Sequence, residues 1–428
     1  MNPYLRFGLG GEPAAWAALA GAGLLLAVSF SAPSIDPGRR ALRASLALLA
    51  AVAALLSWAY ILHYLRGGPR IIDSAYYFLQ ARSLAHGELA FRVPEPLASF
   101  HGRFLLQAPD GGLGVLFPPG YPAALAAAFW FGAPLALGPV LAALLVPATY
   151  WLGRELGATP RVALGAAGLG VICAALRYHT ADTMSHGWSA LLGVVTLAAA
   201  ARGTVWSFLL SGFSAGWLCA TRPVTGAVLL FGSALLAARA GRRAGWLMVA
   251  LLPGALLLAL HQHALTGSFF GSTQLAYYAV ADGPPGCFRY GFGQGIGCLF
   301  EHGDYVRARL PDGYGLLEAA SNTLRRLGVH ALDVGNAGPL ALLVPWGAWL
   351  TRGERAARIA FGVIVAIILA YAPFYFEASF PGAGARLFAD VLPIEHVFIA
   401  QALASLGALR FAFPLSLAGF ALHTHHQH

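Results

Sequence analysis

The stretch "ASLALLAAVAALLSWAYILHYLRGGPRIIDSAYYFLQARSLAHGELAF" (Ala44–Phe91) decides the fold. Its first part, Ala44–Leu65, is an unbroken apolar run. A helix needs about 20 such residues to cross the hydrocarbon core of a bilayer. Its second part leaves that run through Arg66, two glycines and a proline, and presents Asp73 at the head of a shorter helical segment. Gly87 after His86 gives a helix-stop signal. Two readings of Asp73 stand side by side. It caps a helix lying on the membrane surface, or it is a carboxylate held at the depth of a lipid-anchored substrate.

The rest of the chain follows the same pattern. Of its residues 58% are hydrophobic and 11% charged, and the mean hydropathy is +0.66. A soluble domain carries about a quarter charged residues. Further apolar runs lie near 14–32, 134–152, 160–178, 187–202, 204–221, 224–240, 244–264, 336–350, 358–376 and 391–409, with a short tail at 411–422. In lipid each run must satisfy its own backbone, which makes it a helix. The expected fold is a single all-α polytopic membrane domain over 1–428, with about 11–12 transmembrane helices. Gly120–Gly132 is apolar but short and proline-led, as suits an interfacial or re-entrant helix. The N-terminal run is not read as a cleavable signal, since a second span follows directly and no A-x-A-like site stands out.

The formal net charge is +9, and all 27 basic residues are arginine. They are scattered between spans, which speaks for topology and against nucleic acid. Arg39, Arg40, Arg43, Arg154, Arg161, Arg202, Arg239, Arg242, Arg243, Arg352, Arg355, Arg358 and Arg410 fall on one side, expected to be cytoplasmic. The opposite side then carries two long external loops, 66–133 and 265–335, with short interfacial helices, and short turns near 179–186, 221–223 and 377–390.

The residues able to do chemistry gather on that external side. Asp73 can take a proton from an acceptor hydroxyl. Asp182 and His186, in "RYHTADTMSHGWS" (Arg177–Ser189), stand at the spacing that places two side chains on one helix face. Asp182 is a second candidate acid, or the cap of the next span. Asp73, Asp182, His179 and His186 offer the donor types that suit a divalent cation, without a tight metal motif. Arg222 and Arg386 each either hold a phosphate bidentately or snorkel from a helix end. Tyr77 and Tyr278 are candidate substrate-contacting aromatics. The first loop adds Glu88, Glu95, His101, Arg103, Gln107 and Asp110. Cys287 and Cys298 pair as a disulfide if their loop meets an oxidising compartment, or are free thiols. Cys173 and Cys219 sit inside spans as packing residues.

Five segments in this order carry a resemblance: "DSAYYFLQARSLAHGELAF" (Asp73–Phe91), "LFPPGYPAALAAAF" (Leu116–Phe129), "ATYWLGRELG" (Ala148–Gly157), "CATRPVTGAVLL" (Cys219–Leu230) and "GARLFADVLPI" (Gly384–Ile394). The chain resembles the C-type (GT-C) membrane glycosyltransferases, and is similar to protein O-mannosyltransferases, lipid A aminoarabinose transferases and rhizobial lipopolysaccharide-core glycosyltransferases. The resemblance implies an inverting glycosyltransferase of the bacterial inner membrane, active at the periplasmic face. Its donor would be a polyprenyl-phosphate sugar and its acceptor a glycan, lipid or protein. No cofactor would be required, with a divalent cation as an option. Asp73 would be the base and Arg386 the phosphate ligand of the last external loop. Two departures stand out. The first external loop follows the second apolar run instead of the first. Asp73 also lacks the adjacent glutamate that protein mannosyltransferases show, which disfavours protein mannosylation. The alternatives are a transporter or flippase, and an inactive binder of lipid-linked sugars. Span interiors almost free of charge, and the absence of an internal repeat, count against transport.

Overall fold

The computed structural model describes residues 23, 38–100, 102–280, 286–380 and 382–427, the side chains of 422–427 apart. The expected first span, 14–32, lies outside them save for Gly23, as does His101. The described chain is an all-α, multi-pass membrane protein with two very small hairpins.

Helix α1 (Arg39–His63) contains most of the apolar run that precedes Asp73, and α2 (Ile72–Ala85) carries Asp73 in its first turn. A hairpin of β1 (Leu105–Gln107) and β2 (Leu113–Val115) and helix α3 (Gly120–Trp130) complete the first long loop. The chain then runs through α4 (Leu137–Glu155), α5 (Pro160–Val171), α6 (Ala174–Ala181), α7 (Ser185–Arg202), α8 (Val205–Cys219), α9 (Pro223–Ala237) and α10 (Gly245–Thr266). The second loop holds α11 (Thr273–Val280) and α12 (Leu299–Arg309). After it come α13 (Leu316–Asp333), α14 (Gly338–Leu350) and α15 (Arg355–Ala370). The hairpin of β3 (Ser379–Phe380) and β4 (Gly384–Ala385) and a 3-10 stretch, Arg386–Val391, lead into α16 (Leu392–Ser405) and α17 (Leu409–Gln427).

Each expected span within the described residues meets a helix, but fewer of them are full crossings. Among the described residues four segments are long and apolar enough to span: Arg39–His63, Pro134–Glu155, Pro223–Thr266 and Arg386–Ser405. Two bent pairs, α5 with α6 at 63° and α13 with α14 at 106°, bring the number to six at most. The expectation of 11–12 also counts the shorter apolar helices and the run 14–32, which lies almost wholly outside the described residues. Helix α8 has 15 residues, about 22 Å at 1.5 Å per residue, against a hydrocarbon core of about 30 Å. The run 160–178 breaks at Ile172 and Cys173, so that α6 turns away and carries its polar end to the site.

The second loop also ends sooner than expected. Residues 316–333, expected as loop, form helix α13. Hydropathy misses it because its buried face is polar. Asn322 donates to the Tyr375 carbonyl, and Arg326 donates to the carbonyls of Tyr371, Phe374, Phe376 and Glu377. These bonds hold the segment 371–377 that leads to β3.

Helix α16 forms the centre of the core. Leu392, Ile394, Val397, Phe398 and Ile399 are fully enclosed by the surrounding helices. Helices α8 and α10 pack backbone to backbone. A Cβ placed on Gly254 would stand 2.1 Å from the carbonyl carbon of Gly216, so neither position tolerates a side chain. Close approach through small residues is how helices gain packing contacts in lipid.

Candidate active site

Three short segments converge at the loop-bearing end of the bundle: the first turn of α2, the break between α6 and α7, and the 3-10 stretch after β4. Asp73 does not cap its helix. Ile71 holds the N-cap position, with no side-chain cap. The Asp73 carboxylate accepts instead from Arg386, Nη1 to Oδ2 2.7 Å, across 313 residues of sequence. The pair is partly open, with side-chain exposures of 18% and 15% respectively. The Arg386 guanidinium lies over the ring of Phe380, 4.7 Å from its centroid.

The backbone that presents Arg386 is braced from α13. The amide of Ala385 donates to Asp333 Oδ2 at 2.7 Å. Gly384 adopts φ +59°, and a Cβ there would lie 2.0 Å from Asp333 Oδ1. Only glycine fits both the left-handed conformation and the contact. Beneath it, His330 Nε2 meets Glu395 at 2.9 Å in a fully enclosed pair.

Asp182 lies behind Asp73, not beside it at the surface. Its side chain is buried and neither carboxylate oxygen has a hydrogen-bond partner. Burial pushes its carboxyl up to about 7, and the charge of Asp73 adds to the rise. Thr183, the next residue, donates to the Ser74 carbonyl at 3.1 Å and ties this break to α2.

Arg222 and His186 come together in a second, closed network. Arg222 Nε stands 2.9 Å from Asp390 Oδ2, with exposures of 10% and 0%. Its Nη2 donates to the Tyr371 hydroxyl at 2.9 Å, and its Nη1 lies 2.6 Å from His186 Nδ1. Thr225 donates to the same Asp390 oxygen at 2.8 Å. The expected cation set is therefore not assembled. Asp73 turns to Arg386, His186 to Arg222, and His179 Nε2 to the Ala383 carbonyl at 2.8 Å. Among the described residues no three His, Cys, Asp or Glu side chains are grouped to hold a metal ion.

Tyr77 is placed in an aromatic cluster, stacked on Phe117 at 4.5 Å and edge-on to Tyr121. Its hydroxyl reaches Ser185 at 3.4 Å. Tyr278 lies in the second loop, stacked on Phe288 at 4.1 Å and donating to Glu301 at 3.2 Å. Cys287 and Cys298 are joined by a disulfide. His302 stacks on Phe376 at 3.7 Å, and burial lowers its imidazole to about 4.

Several buried ionisable groups escape a sequence reading that holds span interiors nearly charge-free. Arg177, Asp390, Glu395 and His396 are all enclosed within or beside helices. Arg177 donates to the carbonyls of Ala53 and Gly170, and His396 meets the Val334 carbonyl at 2.7 Å. A signal exists for Asp390: an acid inside an apolar segment needs a partner, and it stands four positions after Arg386 in "GARLFADVLPI".

No family model and no curated protein matches this sequence. Among solved structures the chain is similar to the oligosaccharyltransferase of Archaeoglobus fulgidus. The apo form aligns at 14% identity and a TM-score of 0.48, over 90% of this chain and 56% of that one. The form in complex with Zn and sulfate aligns at 18% and 0.49, over 89% and 52%. The form tethered to an acceptor peptide aligns at 14% and 0.44, over 89% and 55%. The chain spans about half the length of these structures.

Proposed function

We propose that the protein is an inverting C-type glycosyltransferase that moves a sugar from a polyprenyl-phosphate carrier to an acceptor hydroxyl on the periplasmic side of a bacterial inner membrane. One observation carries this reading. Asp73 and Arg386, a candidate base and a candidate phosphate ligand from opposite ends of the sequence, meet at 2.7 Å in a half-open site.

Asp73 takes the proton of the acceptor hydroxyl as its oxygen attacks the anomeric carbon. The bond from that carbon to the phosphate oxygen breaks, and the bonding pair leaves with polyprenyl phosphate. Arg386 holds the phosphate as its charge grows, where a guanidinium acts most strongly. In the resting protein each group occupies the other. An arriving donor phosphate competes for Arg386 and so frees Asp73 to accept a proton. Asp182, enclosed behind Asp73, acts on it through its charge instead of touching substrate. Arg222 keeps the fold of the site with Asp390.

The test is release of polyprenyl phosphate from a panel of polyprenyl-phosphate monosaccharides by the protein in lipid, with and without mixed acceptors. Wild-type release that Asp73→Asn abolishes supports the reading. Equal release by both proteins removes Asp73 from the chemistry. A second reading, a transporter or flippase, draws on the enclosed His330–Glu395 pair. It requires donor to cross the membrane without release, and to stop doing so in His330→Ala.

A further inference from the structure

The two external loops border an open groove of about 1150 Å³, somewhat above the about 300–1,000 Å³ usual for small-molecule sites. One wall comes from Arg103 and Gln107 beside β1, the other from Tyr277, Tyr278 and Glu301, with the Cys287–Cys298 disulfide also lining it. We propose that this groove binds a neutral glycan, the sugar chain of the acceptor. The assignment rests on the transferase reading and names the acceptor class for it.

Charge comes first. Among the described residues, Arg103 and Glu301 are the charged residues lining the groove, and they pair at 3.4 Å. A pair whose formal charges cancel offers a phosphate or an acidic chain no net attraction. A partly exposed guanidinium and a carboxylate side by side do match the donor and acceptor pattern of vicinal sugar hydroxyls. Aromatic surface comes second. Tyr277 stands edge-on to Tyr278, with ring centroids 4.9 Å apart, and 6.2 Å from Phe104. Tyr278 is buried with its face on Phe288, which leaves Tyr277 as the partly exposed ring able to take the C–H face of a sugar. Rigidity comes third. The disulfide, the Tyr278–Phe288 stack and the Tyr278–Glu301 bond brace the second-loop wall, which lowers the cost of ordering that wall when a ligand binds.

The groove also lies where an acceptor is needed. Tyr76, one turn along α2 from Asp73, packs edge-on against Phe104 at 5.7 Å, next to Arg103.

The experiment uses the full chain in lipid nanodiscs and saturation-transfer NMR with short neutral oligosaccharides built from hexoses or N-acetylhexosamines. Inorganic phosphate, acidic oligosaccharides and soluble peptides are the contrasting probes. The expected result is binding of at least one neutral oligosaccharide, weakened tenfold or more in Gln107→Ala and in the cavity-filling Ala276→Trp. Gln107 is exposed, so its variant keeps the test meaningful if the tryptophan disturbs folding. Binding of none of the neutral oligosaccharides, preference for an acidic or peptide probe, or equal binding by Gln107→Ala would overturn the proposal. Donor cleavage is read separately. Cleavage without glycan binding overturns the groove alone, and glycan binding without cleavage overturns the transferase reading alone.

Discussion

Two arginine–carboxylate pairs sit at the same end of this molecule, made of the same chemical groups and put to different ends. Arg222 and Asp390 are enclosed together, and three more side chains bond to them: Tyr371 and His186 to the guanidinium and Thr225 to the carboxylate. Arg386 and Asp73 are partly exposed and hold each other by one bond, with an aromatic ring as the other neighbour of the guanidinium. A sealed pair is strongly needed once folded, because removing one partner strands a buried charge. A partly open pair strands less buried charge when one partner is removed, and its partners can be exchanged for a ligand. On the proposed reading, the burial of the carboxylate, 0% against 18% exposed, separates a brace from a reactive pair.

The sharpest way to break this contrast is Asp73→Asn. Sugar transfer should fall by about 10²–10⁴-fold, the usual contribution of a general base, while stability falls by less than the about 3–5 kcal/mol expected when an enclosed pair is broken. Rates with a polyprenyl-phosphate sugar and melting temperatures in detergent check both halves. A large loss of stability would make Asp73 a brace like Asp390. Arg222→Ala should do the reverse and cost about 3–5 kcal/mol of stability, seen as a collapse in folded yield and melting temperature. A well-folded Arg222→Ala protein that only loses activity would move the phosphate site to Arg222.

Gly384→Ala probes how the open pair is aimed. The added methyl meets Asp333 and the left-handed backbone at once, which displaces Arg386. A misplacement of about 1 Å can cost about 10²-fold in rate. Wild-type rates in this variant would show that the Asp333 brace is irrelevant to Arg386.

The effect confined to one pH window concerns Asp182. Its carboxyl is raised to about 7 in the folded protein, against about 3.9 for an unperturbed aspartate. Between those values the folded state holds the extra proton. Stability therefore falls as pH rises through that window, by about 1.4 kcal/mol for each pH unit crossed, and the penalty is full above about pH 7. Asp182→Asn should melt higher than wild type at about pH 8 and converge with it near pH 4. A difference that does not change with pH would mean that Asp182 is not buried uncharged at low pH.

Much of this site is legible one residue at a time. Asp73, Asp182, Arg222, His186 and Arg386 all stand out, since a polar residue at the edge of an apolar run needs a reason to be there. Their partners do not. Asp73 resembles a helix cap because local sequence reports only local hydrogen bonds, and the group that engages it lies 313 positions away. The polar face of α13 reads as loop, because Arg326 and Asn322 find backbone carbonyls that no hydropathy window can see.

By itself the sequence determined that the chain is helical and lives in a membrane. Apolar composition and the demand that every backbone group be satisfied in lipid leave no other choice. It also determined which residues are available for chemistry at the loop-bearing end. Only the tertiary structure decided how many helices are long enough to cross. It decided that α6 breaks away from α5 to bring Asp182 beneath Asp73, and it chose which arginine is sealed and which is left open. Those outcomes depend on burial and on contacts between distant segments, and both exist only once the helices have packed.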